Sequence, residues 1–133
     1  MTTSHLGFTT RLNAPYAQAV AQVTDALKAE GFGVLTEIDV KATLKQKLGV
    51  DFRRYVILGA CNPNLAHQAL SADLNIGLLM PCNVIVYETD DGGVVVSMLD
   101  PGAMIDMAGV AGLEALAAEG RARIRRVIEA LGG

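Results

Sequence analysis

The chain has 133 residues, 51% of them hydrophobic and 19% charged, with a formal net charge of −3. That length is a single domain, 1–133, large enough to bury a core, and so apolar a composition excludes a disordered chain. The acidic balance, with a pI of about 5.2, argues against a phosphate-backbone binder, which is normally basic, so no nucleic-acid partner is expected.

The stretch from Met1 to Leu6 has no basic run and no apolar run, unlike a secretory signal. The apolar runs Val56 to Leu58 and Val84 to Val86 are far shorter than the roughly 20 residues that a membrane helix needs. No membrane partner is expected, and the reading is a cytoplasmic protein with two reduced thiols. Mean hydropathy is +0.35. A domain this small cannot hide that much apolar surface internally, so a homodimer is expected.

Residues 6–12 read as a first short strand. Asn13-Ala14-Pro15 reads as a helix start, with asparagine as cap and proline in the first turn. Tyr16, Val20, Val23 and Leu27 then give the buried stripe of a helix running to Glu30. Gly31 closes it as a left-handed cap, with Phe32 packing back on the last turn. Val34 to Val40 reads as a strand, and Thr43 to Leu48 as a helical turn stopped by Gly49. Arg53 to Ala60 is a strand apolar on both faces after Arg54, hence central. Pro63 opens a short helix over 64–72. Asn83 to Thr89 and Val94 to Leu99, joined by Asp90-Asp91-Gly92-Gly93, read as a hairpin. Asp100-Pro101 opens a short apolar helix carrying Met104 and Met107. The last helix spans about 112–131, with Leu113, Leu116, Gly120, Ile124, Val127 and Leu131 buried. The order predicts an α+β two-layer sandwich, a mainly antiparallel sheet covered by helices on one face.

Several spaced strings carry a resemblance. They are Gly31 to Val40 (GFGVLTEIDV), Thr43-Leu44-Lys45 with Lys47-Leu48-Gly49, Tyr55 to Pro63 (YVILGACNP), Gly77-Leu78-Leu79 and Pro81-Cys82-Asn83-Val84. In this order they resemble the bacterial and archaeal family catalogued as domain of unknown function 302, over about residues 15–130. The resemblance implies a β-α-β4-α topology of the TATA-binding-protein-like type, usually in a dimer, and no established activity. Arg54 departs from the pattern, standing where a proline is expected before the tyrosine.

If strands 53–60, 83–89 and 94–99 alternate in direction, one end of the sheet collects Cys61, Asn62, Cys82, Asn83 and Asp100, with Met104 over them. These six are the candidate ligand-binding residues. Free cysteine often serves as a small buried hydrophobe, but two thiols with a thioether would suit a soft, thiophilic ligand. Zinc wants four ligands, and neither His5 nor His67 is spaced from a cysteine as a metal ligand, so no metal site is assigned. The asparagines and Asp100 also suit turns and helix caps. Glu37, Asp39, Lys45 and Lys47 form a second candidate polar cluster at the opposite end, otherwise a set of exposed ion pairs. Arg121, Arg123, Arg125 and Arg126 read as a solvated helix face, with Glu119–Arg123 and Arg125–Glu129 spaced to pair.

Three functions fit. The first is a dimeric domain binding a small-molecule or soft ligand at the Cys61/Cys82 edge. The second is a cysteine-dependent redox or transferase-type enzyme, with Cys61 the better nucleophile because it precedes a helix N-terminus. The third is a structural or regulatory interaction domain without a ligand. No cofactor and no catalytic residue is named by any motif.

Overall fold

In a computed structural model that describes residues 1–132, the elements follow the order β1 (Thr2–Thr3), β2 (Gly7–Leu12), α1 (Tyr16–Ala29), β3 (Gly33–Asp39), α2 (Val40–Leu48), β4 (Tyr55–Cys61) and α3 (Pro63–Ala72). A 3-10 helix (Leu74–Leu79), β5 (Cys82–Glu88), β6 (Val94–Leu99), α4 (Pro101–Ala108) and α5 (Glu114–Ala130) complete the chain. The fold is α+β. One six-stranded sheet, in the order β1-β2-β6-β5-β4-β3, is antiparallel at every pairing.

Strand alternation sorts the side chains. Val56, Leu58 and Ala60 of β4, Val84 and Val86 of β5, and Val94, Val96 and Met98 of β6 are buried against Ala19, Val23 and Leu27 of α1 and Ile124, Val127 and Ile128 of α5. The opposite face carries half-buried residues, among them the stacked rings of Tyr55 and Tyr87. No helix among the described residues is long and apolar enough to cross a membrane.

The end of α1 forms as expected. Gly31 has φ +85°, and the N–H groups of Gly31 and Phe32 donate to the carbonyls of Lys28 and Leu27. That pair of bonds satisfies the last free carbonyls of the helix, and only a residue at ease with positive φ can stand at the first position. The start differs. Pro15, not Asn13, precedes the helix, and no side chain caps it. Tyr16 and Val20 are half-buried, and Ala19 takes the buried place between them.

Asp39 ends β3 earlier than its apolar pattern suggests. Its Oδ1 accepts from the Ala42 N–H at 2.9 Å, so Val40 already belongs to α2. Strand β4 starts at Tyr55 rather than Arg53. Arg54 donates instead to Glu88 Oε1 at 3.1 Å and lies 5.6 Å from the centre of the Tyr16 ring. In β3 the register shifts between Val34 and Thr36, leaving Leu35 out of the ladder.

Candidate functional site

The β4–β5 register decides where the thiols lie. Ala60 pairs with Cys82 and, on the other side, Cys61 pairs with Gly33. The end of β4, the start of β5, the end of β6 and the start of β3 therefore share one end of the sheet. One cross-strand step plus one residue along the chain puts the two cysteine Cα atoms no more than about 9 Å apart.

Three helices close over this end. Asn62 Oδ1 accepts from the Leu65 N–H at 3.2 Å and starts α3. Asp100 Oδ1 accepts from the Gly102 N–H at 2.8 Å and starts α4. The same carboxylate accepts from Arg121 Nε at 3.1 and 3.2 Å, which ties α4 to α5. A Cβ on Gly120 would stand 2.9 Å from Pro101 Cβ, so a glycine there lets α5 approach α4. A second, smaller core of Ala69, Ile76, Met104, Ile105 and Leu113 fixes α3, the 3-10 helix and α4 together.

Between these helices and the sheet end lies a cavity of about 380 Å³. Cys61, Asn62, Cys82 and Met104 all line it, with Leu65, Ala66, Leu116 and other apolar side chains. Leu35, displaced by the β3 irregularity, stands on its wall and is 68% exposed. Asn83 and Asp100 do not line it. Asn83 pairs with Gly59 one residue along from Cys82, so alternation turns it to the other face, where it is exposed. Asp100 is occupied as the cap of α4 and the partner of Arg121. Met80 lines the cavity and was not among the expected residues; its one sequence signal is a sulfur two positions before Cys82. A cis peptide bond joins it to Pro81.

The family model described as Domain of unknown function DUF302 matches residues 8–131. The chain belongs to the DUF302 family. Its structure is similar to the crystal structure of an uncharacterized conserved DUF302 protein from Bacillus stearothermophilus, with 29% identity and a TM-score of 0.87 over 96% of this chain and 99% of that one. No curated protein matches the chain.

The cavity of this DUF302 domain disfavours charge on Cys82. Burial first, then the neighbouring Cys61, push the Cys82 thiol up to about 11. The cavity wall carries no carboxylate, imidazole, ammonium or guanidinium. A thiol acting as a nucleophile would have no base on that wall to activate it. His67, six residues after Cys61, is exposed on α3 and is not on the wall. Among the described residues, no three His, Cys, Asp or Glu side chains are grouped to hold a metal ion.

The second polar cluster divides. Asp39 caps α2, while Lys45 Nζ pairs with Asp51 at 3.1 Å, not with Glu37 or Asp39. Burial, then the charges of Asp39 and Glu37, push the Tyr16 hydroxyl up to about 12. Lys47 is exposed at the end of α2. The arginines of α5 lie on a largely solvated face, Arg121, Arg125 and Arg126 exposed and Arg123 half-buried. Arg121 holds Asp100, Arg123 holds Glu119 and the Glu30 carbonyl, and Arg126 holds the Glu30 carboxylate. Arg125, expected to pair with Glu129, lies 5.6 Å from the centre of the Phe8 ring.

Proposed function

We propose that this DUF302 domain is a ligand-binding module and that its site is the cavity at the thiol end of the sheet. The observation that carries the reading is the nearly wholly apolar wall, broken by few polar groups, in a cavity of about 380 Å³. That is within the size range of small-molecule sites, which are concave and mostly apolar. The ligand is small and soft, since a hard charged one would find no carboxylate, ammonium or guanidinium on the wall as a counter-charge. The neutral fluorophore 1-N-phenylnaphthylamine should bind with enhanced emission. Ala66→Phe, which adds a ring to a half-buried wall position, should weaken that binding on the order of tenfold or more, the roughly 1.4 kcal/mol of a tenfold loss being modest for a blocked pocket. Equal binding by a folded Ala66→Phe protein, or no emission change with the unaltered protein, would overturn the assignment.

We also read the long elements β2-α1-β3-β4-β5-β6-α5 as the β-α-β4-α skeleton of a TATA-binding-protein-like domain, a reading supported by their order. The chain is read as a homodimer. Leu74, Leu78 and Met107, at 83%, 85% and 68% exposed, support this, because Leu78 and Met107 line one apolar groove beside Leu79 and Ala108. Sedimentation velocity at micromolar concentration should show a species of twice the 14.0 kDa chain mass. A single 14.0 kDa species would reject it.

A further inference from the structure

The heteroatom-bearing side chains on the cavity wall are the Thr36 hydroxyl, the Asn62 amide and four sulfurs, those of Cys61, Met80, Cys82 and Met104. Both cysteines of the chain and two of its five methionines thus meet in one cavity. They come from three elements that are far apart in sequence: the end of β4, the start of β5 with the residues before it, and α4. The Asn62 oxygen is already committed to the Leu65 N–H. A hard cation that needs about six oxygen ligands finds none of the carboxylates that usually supply them. Zinc finds two thiols but no histidine or carboxylate to complete its usual four ligands.

We propose that the cavity binds one soft monovalent cation, copper(I) or silver(I), through Cys61 and Cys82, with Met80 and Met104 as thioether donors. This rests on the reading of the cavity as a ligand site and names the class of ligand. Thiolate and thioether sulfur select such ions over harder ones. Charge supports the choice as well. With Cys61 as the thiolate and Cys82 as a neutral thiol, one thiolate and one monovalent cation sum to zero, and each thioether adds a donor without adding charge. A neutral complex is the kind that an apolar wall accepts, whereas an unpaired charge there is costly. Each thiol that becomes a thiolate ligand gives its proton to solvent, so binding releases protons. The cation enters and stays in the +1 state, and no electron is transferred.

The test uses the reduced, metal-free protein under nitrogen, titrated with copper(I) supplied as its acetonitrile complex against a chromophoric copper(I) chelator. Native mass spectrometry reads the stoichiometry. One ion per chain should be retained against the chelator. The double variant Met80→Leu with Met104→Leu keeps both thiols and approximates the methionine volumes. It should lose at least the roughly tenfold in affinity that removal of even an outer partner costs a metal site. Cys61→Ser and Cys82→Ser should each lose more. Two or more ions per chain, or a double variant that binds like the unaltered protein, would show independent thiols and overturn the proposal. So would loss of all copper to the chelator. Should a serine variant fail to fold, the methionine pair carries the test. Phenylnaphthylamine binding is measured beside it. A protein that takes up the fluorophore but not copper(I) refutes the cation and leaves the cavity reading standing; one that takes up neither refutes both.

Discussion

At pH 8, the Cys82 thiol in the Cys61→Ser protein is expected to be alkylated by iodoacetamide roughly a hundredfold more slowly than an ordinary thiol. The thiolate is the reacting species, and the fold pushes the Cys82 thiol up from 9.0 to about 11. Two decades of thiolate fraction follow from that shift. Burial is the larger cause and Cys61 the smaller, so most of the protection should survive the loss of the Cys61 thiol. The sign for stability follows. The neutral thiol is favoured in the folded state, so its contribution is complete below the unfolded value near 9 and is lost as pH rises through about 11. Denaturant unfolding at pH 8 and pH 10.5 should show a smaller loss in Cys82→Ala than in the unaltered protein. A Cys82 alkylation rate equal to that of the urea-denatured chain would mean that the thiol is not sheltered at all.

Ile124→Ala is expected to destabilise the domain by about 2–5 kcal/mol and to lower the thermal midpoint on the order of 10 °C. Ile124 is 0% exposed and belongs to the cluster in which α1 and α5 cover the sheet. Its truncation leaves a void in a close-packed region. Leu116→Ala makes a useful contrast. Leu116 is half-buried beside a cavity that already exists, so fewer contacts are lost. Calorimetry should rank Ile124→Ala well below Leu116→Ala. A loss under about 1 kcal/mol at Ile124 would mean that α5 does not cap the sheet as described.

Local chemistry carried much of the fold in the sequence. Asp91-Gly92 between two β-branched runs announces the hairpin, and Ala29-Glu30-Gly31-Phe32 announces the end of α1. The cavity was less legible. The gap enclosed by Leu65, Ala66 and Leu116 is a property of how far three helices stand from a sheet end, and no residue pattern along the chain records that distance. The two Cys-Asn dipeptides show the difference. Asn62 precedes Pro63 and caps a helix, so its side chain stays at the cavity. Asn83 continues into a strand, and alternation carries it to the other face. The same two residue types part company because the next residue differs. Asp39 misleads in a similar way: its neighbours read as strand, while its own carboxylate starts a helix.

The place of β2 in the sheet bears on how the chain can be made. Its long partner is β6, and the hydroxyls of Thr9 and Ser97, 2.8 Å apart across that pair, are separated by 88 positions in the chain. On a ribosome β2 leaves the exit tunnel well before β6 is synthesised. Phe8 and Leu12, buried in the finished domain, stay without their β6 ladder until residue 99 has emerged. Closing so long a loop is slow and entropically unfavourable. Until then β2 is a partly apolar strand without its long partner, and the sheet is completed only after the segments from α1 to β5 have all been made.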